Sequence, residues 1–366
     1  MGGGFARDDA ARHICSVCGK EFAPKNDEMA CAECAKKSIS DVFKTLNVDI
    51  PPVSSQSYDE GKAIFRGGGV DIWRVRKRET GNIYALKMLQ SDYRYNKEAR
   101  NALLAESEIG KALCHENIVR TIEIGDSGDG PYHLMELCEG GNVGILLRKH
   151  EGKLPLTLAT RIMLQVLSAL DYMHNAKLYV KLPYDSPLGS KNDTKVCGVV
   201  HRDITLNHML LAGDPNAPTV KLTGFETAGY FCEGRLFLPH YDPRKDDHLL
   251  GSVGFARFTS RQQALNHLRA TPATDLWMAA AAYYYVLAKA PPKPFREFTN
   301  PWGIVISEPP VPILERDDSI PAPLAEVIDR TLADQQELFY NSAAALRRDI
   351  IAALPHEAKN GLADLI

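Results

Sequence analysis

Apolar and polar positions along this chain change their spacing several times, and the changes mark its elements. From Gly61 the apolar residues fall in short runs: residues 63–72, Trp73-Arg74-Val75 and residues 83–88 read as strands, with Thr80-Gly81-Asn82 as a hairpin turn. A helical pattern covers residues 97–113, and Ile162, Val166, Leu170 and Met173 recur at the spacing of a core-facing helix. The apolar run from Trp277 to Ala288 reads as a buried helix, too short to cross a bilayer. Leu324, Val327, Ile328 and Leu332, followed by residues 342–354, predict two terminal amphipathic helices. Two β-leaning runs flank a Pro/Gly/Asn/Asp turn in residues 177–197 and predict a hairpin.

Ahead of these elements the pattern is broken. Residues 1–12 are glycine-rich and of balanced charge, which predicts a disordered tail, and residues 38–58, with Pro51-Pro52 and a Ser/Gln run, predict a linker. Between them Cys15 and Cys18, then Cys31 and Cys34, form two Cys-x-x-Cys pairs in a module spanning residues 13–37. Four thiolates so spaced can reach one tetrahedral Zn2+, at about 2.3 Å each, which leaves no open position for chemistry. A segment this small cannot fold by burial alone, so a structural metal would supply its stability. Redox-active or unpaired thiols are the alternative.

Composition narrows the setting. The chain has 366 residues, 45% hydrophobic and 24% charged, enough for a large core and more than one domain. A formal net charge of -3 offers no reason to expect nucleic acid or an anionic membrane as partner. Residues 1–45 hold as many acids as bases, so the cysteine module points to protein contact or packing instead. The polar start lacks a signal-peptide pattern, and paired cysteines favour a reducing compartment; the expectation is a cytoplasmic protein.

The chemistry concentrates in Val199-Val-His-Arg-Asp-Ile-Thr-Leu-Asn-His208 and Val220-Lys-Leu-Thr-Gly-Phe-Glu226. The first resembles the catalytic loop of protein kinases and the second stands where they carry Asp-Phe-Gly. Other motifs agree in order. Tyr84-Ala-Leu-Lys87 resembles the third-strand lysine motif, and Cys114-His-Glu-Asn-Ile-Val119 the turn after helix C, which puts Glu106, with Glu108 as a weaker candidate, at the lysine's partner. Residues 132–142 resemble the fifth strand and hinge, with Met135 ahead of Glu136 to Cys138, whose backbone would face adenine. The glycine-rich loop is matched only loosely: Gly67 alone falls on one of its three glycine positions, Phe65 and Val70 occupy the other two, and the consecutive Gly67 and Gly68 could still let backbone amides approach phosphates. Asp275-Leu-Trp resembles the central helix of the large lobe, whose Asp anchors the catalytic-loop backbone. Residues 324–330 are close in wording to the end of bacterial members of the eukaryotic-like Ser/Thr class.

This resemblance covers about residues 61–354. It implies an α+β, bilobal kinase-like fold, with an N-lobe over residues 59–138 and a helical C-lobe over residues 139–356. The hairpin at 177–197 is an insertion relative to the family, and an activation-segment equivalent spans 224–259. The departures are specific. Asp203 keeps the base position, but Thr205 replaces a phosphate-facing lysine, His208 a metal-binding Asn, Gly224 the metal-binding Asp and Glu226 the following Gly. Arg257-Phe258-Thr259 stands where Ala-Pro-Glu is expected, and Phe339 aligns with the Arg that pairs that Glu, so both charges are replaced. Arg202 is the residue that in many kinases pairs a phosphorylated activation segment, with Thr227 or Ser252 as a site.

Magnesium prefers oxygen ligands in octahedral array, so His208 and Gly224 make Mg2+ doubtful, while ATP binding stays open. The leading expectation is a pseudokinase acting as a signalling scaffold or allosteric regulator, with another signalling protein or kinase as partner. The alternatives are an active Ser/Thr kinase whose lost carboxylate is supplied by Glu226, and a zinc-ribbon interaction module on an inert body. No oligomeric state follows from the sequence.

Overall fold

The computed structural model describes residues 13–14, 21–22, 57–128, 130–181, 194–239, 256–295, 300–334 and 340–366. Two short strands, β1 (His13–Ile14) and β2 (Glu21–Phe22), pair antiparallel. The four cysteines of the predicted zinc module lie outside the described residues, as do the centre of the 177–197 hairpin and Phe339.

The chain forms two compact units: residues 1–107 with 121–137, and residues 108–120 with 138–366. In the first unit β3 (Tyr58–Gly67), β4 (Val70–Lys77), β5 (Ile83–Leu89), β6 (Thr121–Ser127) and β7 (Gly130–Glu136) build one sheet, in the order β3-β4-β5-β7-β6. Every neighbour pairs antiparallel. Alternation along β4 sends Trp73 and Val75 inward, where they meet Tyr58, Leu86, Met88 and Leu134 in a small core. The helix Lys97–Ala112 starts where the Asn96 side chain accepts from the Ala99 amide at 2.8 Å. Glu98 in its first turn and Lys111 in its last suit its dipole. It runs unbroken through Gly110.

The second unit is built on two helices, Leu156–His174 and Pro272–Ala288, which share the large core of the unit. Ile162, Val166, Leu170 and Met173 all lie in that core. Helix Pro272–Ala288 is buried almost all round, and its first turn is closed by a capping box between Thr271 and Thr274. The two helices are tied by a 2.7 Å hydrogen bond between the Thr160 and Tyr283 hydroxyls. Helices Ala322–Leu332 and Ala343–Ala353 add their apolar faces to the same core.

A second sheet belongs to this unit. Strands β8 (Leu178–Lys181), β9 (Thr194–Val200), β12 (Gly229–Cys232) and β13 (Arg235–Phe237) lie in the order β13-β12-β9-β8. Strand β9 runs on past the expected end of the hairpin, and Val199 and Val200 pair with Tyr230 and Gly229 of β12. It therefore delivers the chain directly into His201. At Gly198 a β-carbon would stand 2.2 Å from the His174 carbonyl oxygen, so glycine lets this strand press against the helix end. A two-stranded hairpin, β10 (Met209–Ala212) with β11 (Thr219–Leu222), follows.

Two buried polar groups organise the unit. Lys293, which the sequence hides in a proline-rich loop, has a side chain 1% exposed. It donates to the Val305 and Glu308 carbonyls at 3.0 and 2.8 Å and to Asp334 Oδ2 at 2.8 Å. Burial lowers its pKa and Asp334 opposes that shift, so the ion is tolerable where a lone one would be costly. Asp275, fully buried, accepts from the His201 and Arg202 amides at 2.8 and 2.7 Å, and lies 2.9 Å from His174 Nε2. Removing that carboxylate in Asp275→Ala leaves both amides unpaired in the interior. The expected loss is about 3–5 kcal/mol in urea denaturation; a change below about 1 kcal/mol would show that the loop does not depend on it.

Candidate functional site

Asp275 fixes the backbone of His201 and Arg202, and this places everything that follows. Arg202 takes a positive φ of 71°, a strained conformation for a side-chain-bearing residue. It is held there on several sides: Nη1 donates to the Thr227 carbonyl at 2.6 Å, Nη2 to the His267 carbonyl at 3.2 Å, and its own carbonyl accepts from Gln263 Nε2 at 2.8 Å. Thr227 in turn donates its hydroxyl to the His201 carbonyl at 3.1 Å. The His201 ring accepts from the Asp203 amide on Nδ1 at 3.3 Å and lies 3.0 Å from the Thr223 carbonyl through Nε2. Burial lowers its pKa, with Asp275 opposing, and the ring is a neutral structural link packed 5.0 Å from Phe225.

Asp203 then faces His208. Its Oδ2 lies 3.4 Å from His208 Nδ1, and its carbonyl oxygen 3.0 Å from the same nitrogen. Asp203 Oδ1 is buried and has no hydrogen-bond partner among the described residues. Burial by itself would lower the pKa of His208. Hydrogen bonds and charge from Asp203, with the charge of Glu226, outweigh it and raise the value to about 9. The ring is thus an imidazolium at neutral pH. Its contribution to stability is complete below the unfolded value near 6.5 and is lost as pH rises through about 9.

Gly224 closes the arrangement. Its φ is 84°, and a β-carbon there would sit 2.6 Å from His208 Cδ2, 2.7 Å from Cγ and 2.8 Å from Nε2. The two departures at 208 and 224 are therefore one packing solution: the ring occupies the room that any side chain at 224 would need. Thr205, buried, has its hydroxyl 3.4 Å from His208 Nδ1, and Glu226 is exposed. Among the described residues no cluster of His, Cys, Asp and Glu has the geometry of a metal site.

In the first unit Lys87 and Glu106 are both buried and paired at 2.7 Å, with the second oxygen at 2.8 Å. Glu108, the weaker candidate, is exposed. Gly67 ends β3 opposite Val70, and Gly68 and Gly69 make the two-residue turn with φ of 59° and 77°. The turn is tied down by the Gln90 amide, which donates to the Gly69 carbonyl at 2.9 Å. Met135 is buried in β7 and Glu136 ends that strand. Cys138, half-buried, opens the next stretch of the second unit.

A family profile described as "Protein kinase domain" matches residues 58–337. The chain belongs to the protein kinase family. Curated relatives agree with this. It is 26% identical over 285 residues to 3-phosphoinositide-dependent protein kinase 1 of Arabidopsis thaliana, covering 76% of this chain and 50% of that protein. It is 24% identical over 329 residues to the serine/threonine-protein kinase PknB of Mycobacterium leprae, covering 86% and 46%. A shorter match, 32% over 136 residues, links it to the serine/threonine-protein kinase nrc-2 of Neurospora crassa, covering 37% and 21%. The chain spans half the length of these relatives or less. The β-rich and helical units are the two parts expected of the family.

Three features escaped the sequence reading. The Lys293–Asp334 pair had no signal, because a lysine among prolines looks like surface. The run of β9 into the catalytic loop was foreshadowed by the unbroken Val-Cys-Gly-Val-Val of residues 196–200. The collision between positions 208 and 224 needs coordinates, since each residue alone reads as a loss. It also yields an expectation. Gly224→Asp alone should lower stability by about 1–3 kcal/mol, through the positive φ and the clash with the ring. Adding His208→Asn should recover part of that loss in thermal denaturation. Equal stability of Gly224→Asp and wild type would contradict the packing argument.

Proposed function

We propose that this protein is a pseudokinase: a kinase domain that acts as a signalling scaffold or allosteric regulator and does not transfer phosphate. The observation that carries the reading is the His208 ring closed over Gly224 and paired with Asp203. Phosphoryl transfer rests on positioning and on metal ions that neutralise the phosphates. The donor set here does not suit Mg2+, which takes oxygen ligands; position 224 offers no side chain and position 208 a cation that repels another. Thr205 brings no charge to where the family has a lysine. Asp203, the residue at the base position, is engaged with the imidazolium instead.

A second reading, an active Ser/Thr kinase with a rearranged site, draws support from the Lys87–Glu106 pair in the first unit. In the family such a lysine holds the α- and β-phosphates, and Lys87 and Glu106 are the residues that would serve ATP here, with Gly67, Gly68 and the backbone of Met135, Glu136 and Cys138. That reading needs Glu226 to act as a metal ligand. Its carboxylate instead adds to the field that keeps His208 charged. On their spacing, Cys15, Cys18, Cys31 and Cys34 are proposed to hold one structural Zn2+. Whether that module also captures partners is a separate matter from the kinase body.

The test combines stability and transfer. ATP at about a hundred times its Kd adds about 2.7 kcal/mol to the native state. The expected result is either no shift in melting temperature or an equal shift in EDTA and in Mg2+. Labelled phosphate should not enter the protein or a generic substrate above the level of an Asp203→Asn variant. A shift that requires Mg2+, together with transfer, would overturn the reading.

A further inference from the structure

A groove of about 510 Å3 opens beside Asp203, wholly within the second unit. Arg148 and Arg257 stand on its walls with His208, Phe258 and Tyr285. Arg148 lies in the last turn of the helix Val143–Lys149, and Arg257 takes the place where the family sequence suggests alanine. Both are exposed, and among the described residues neither guanidinium has a hydrogen bond or ion pair. Two arginines among the lining residues give this groove a positive character. With the imidazolium of His208 they outnumber the single carboxylate that lines the groove.

The rest of the lining defines what would fit. Phe258 and Tyr285 meet edge to face at 5.7 Å and form an apolar wall. Asp203 keeps its Oδ1 buried and turns Oδ2 towards His208, which partly offsets the one negative charge on the lining. Guanidinium forks match carboxylates in bidentate fashion. We propose that this groove binds an acidic peptide segment of a partner protein, with Arg148 and Arg257 reading its carboxylates and an apolar side chain resting on Phe258 and Tyr285. The inference deepens the pseudokinase reading, on which the occupant is a held partner rather than a substrate that turns over.

The test uses the full chain without nucleotide or metal and three fluorescein-labelled nonapeptides, each with a central Ser beside one Leu. Their remaining positions are Glu, Gln or Lys. Fluorescence anisotropy should show the Glu peptide binding at least about tenfold tighter than the Gln peptide, the preference fading at high salt. Arg148→Ala and Arg257→Ala should each weaken the Glu peptide several-fold. The Arg148→Glu/Arg257→Glu variant should reverse the order and prefer the Lys peptide, a gain that misfolding cannot produce. Equal binding of Glu and Gln peptides, or an unchanged order in the reversed variant, would overturn the proposal. A tenfold preference for a phosphoserine peptide of otherwise neutral sequence over the Glu peptide would overturn the assignment to carboxylates. Incubating the same Ser peptides with ATP and Mg2+ separates the two claims: phosphorylation of the Glu peptide would end the pseudokinase reading and leave the acidic preference standing.

Discussion

One buried carboxylate sets the geometry of the whole site. Asp275 spends both oxygens on the amides of His201 and Arg202, and an unpaired amide in that interior would be costly. The loop is held by its backbone, so the side chains beyond it were free to change without loosening it. Arg202 remains in a left-handed conformation because three carbonyl contacts over-determine it. This explains how the family's scaffold persists around altered chemistry: the residues that hold the loop differ from the residues that would handle phosphate.

At the altered positions the losses compensate one another. A ring at 208 demands no side chain at 224, and an imidazolium at 208 demands the carboxylates of Asp203 and Glu226 nearby. On the proposed reading, a fixed organic cation built into the chain stands where the family would recruit a metal. The same logic holds at a distance. The buried Lys293 is likewise not left alone, since the half-buried Asp334 pairs it at 2.8 Å.

Much of this was legible in the sequence. Ordered motifs gave the fold, because Lys87, Glu106, His201, Asp203 and Asp275 follow one another in the family's order even with the 177–197 insertion between Glu106 and His201. The four degenerate positions could be named from the same alignment of motifs. What the sequence could not carry was mutual orientation. Gly224 read as a missing ligand, not as room made for a ring. Residues 177–197 read as an isolated hairpin, since pairing of Val199 and Val200 with β12 is a long-range contact without a local signature. Arg148 carried no signal in the sequence and Arg257 only that of a departure from Ala-Pro-Glu, because concavity has no sequence period.

The central claim is that His208 carries a resident positive charge in place of a metal. The most direct measurement is 15N NMR of the histidine rings, with His208 assigned through a His208→Asn variant. The account expects both ring nitrogens of His208 protonated at pH 7.5, a titration near pH 9, and no displacement of the signal when Mg2+ and a non-hydrolysable ATP analogue are added. A neutral ring titrating near its ordinary value, or a signal that moves only when Mg2+ is present with the nucleotide, would contradict it.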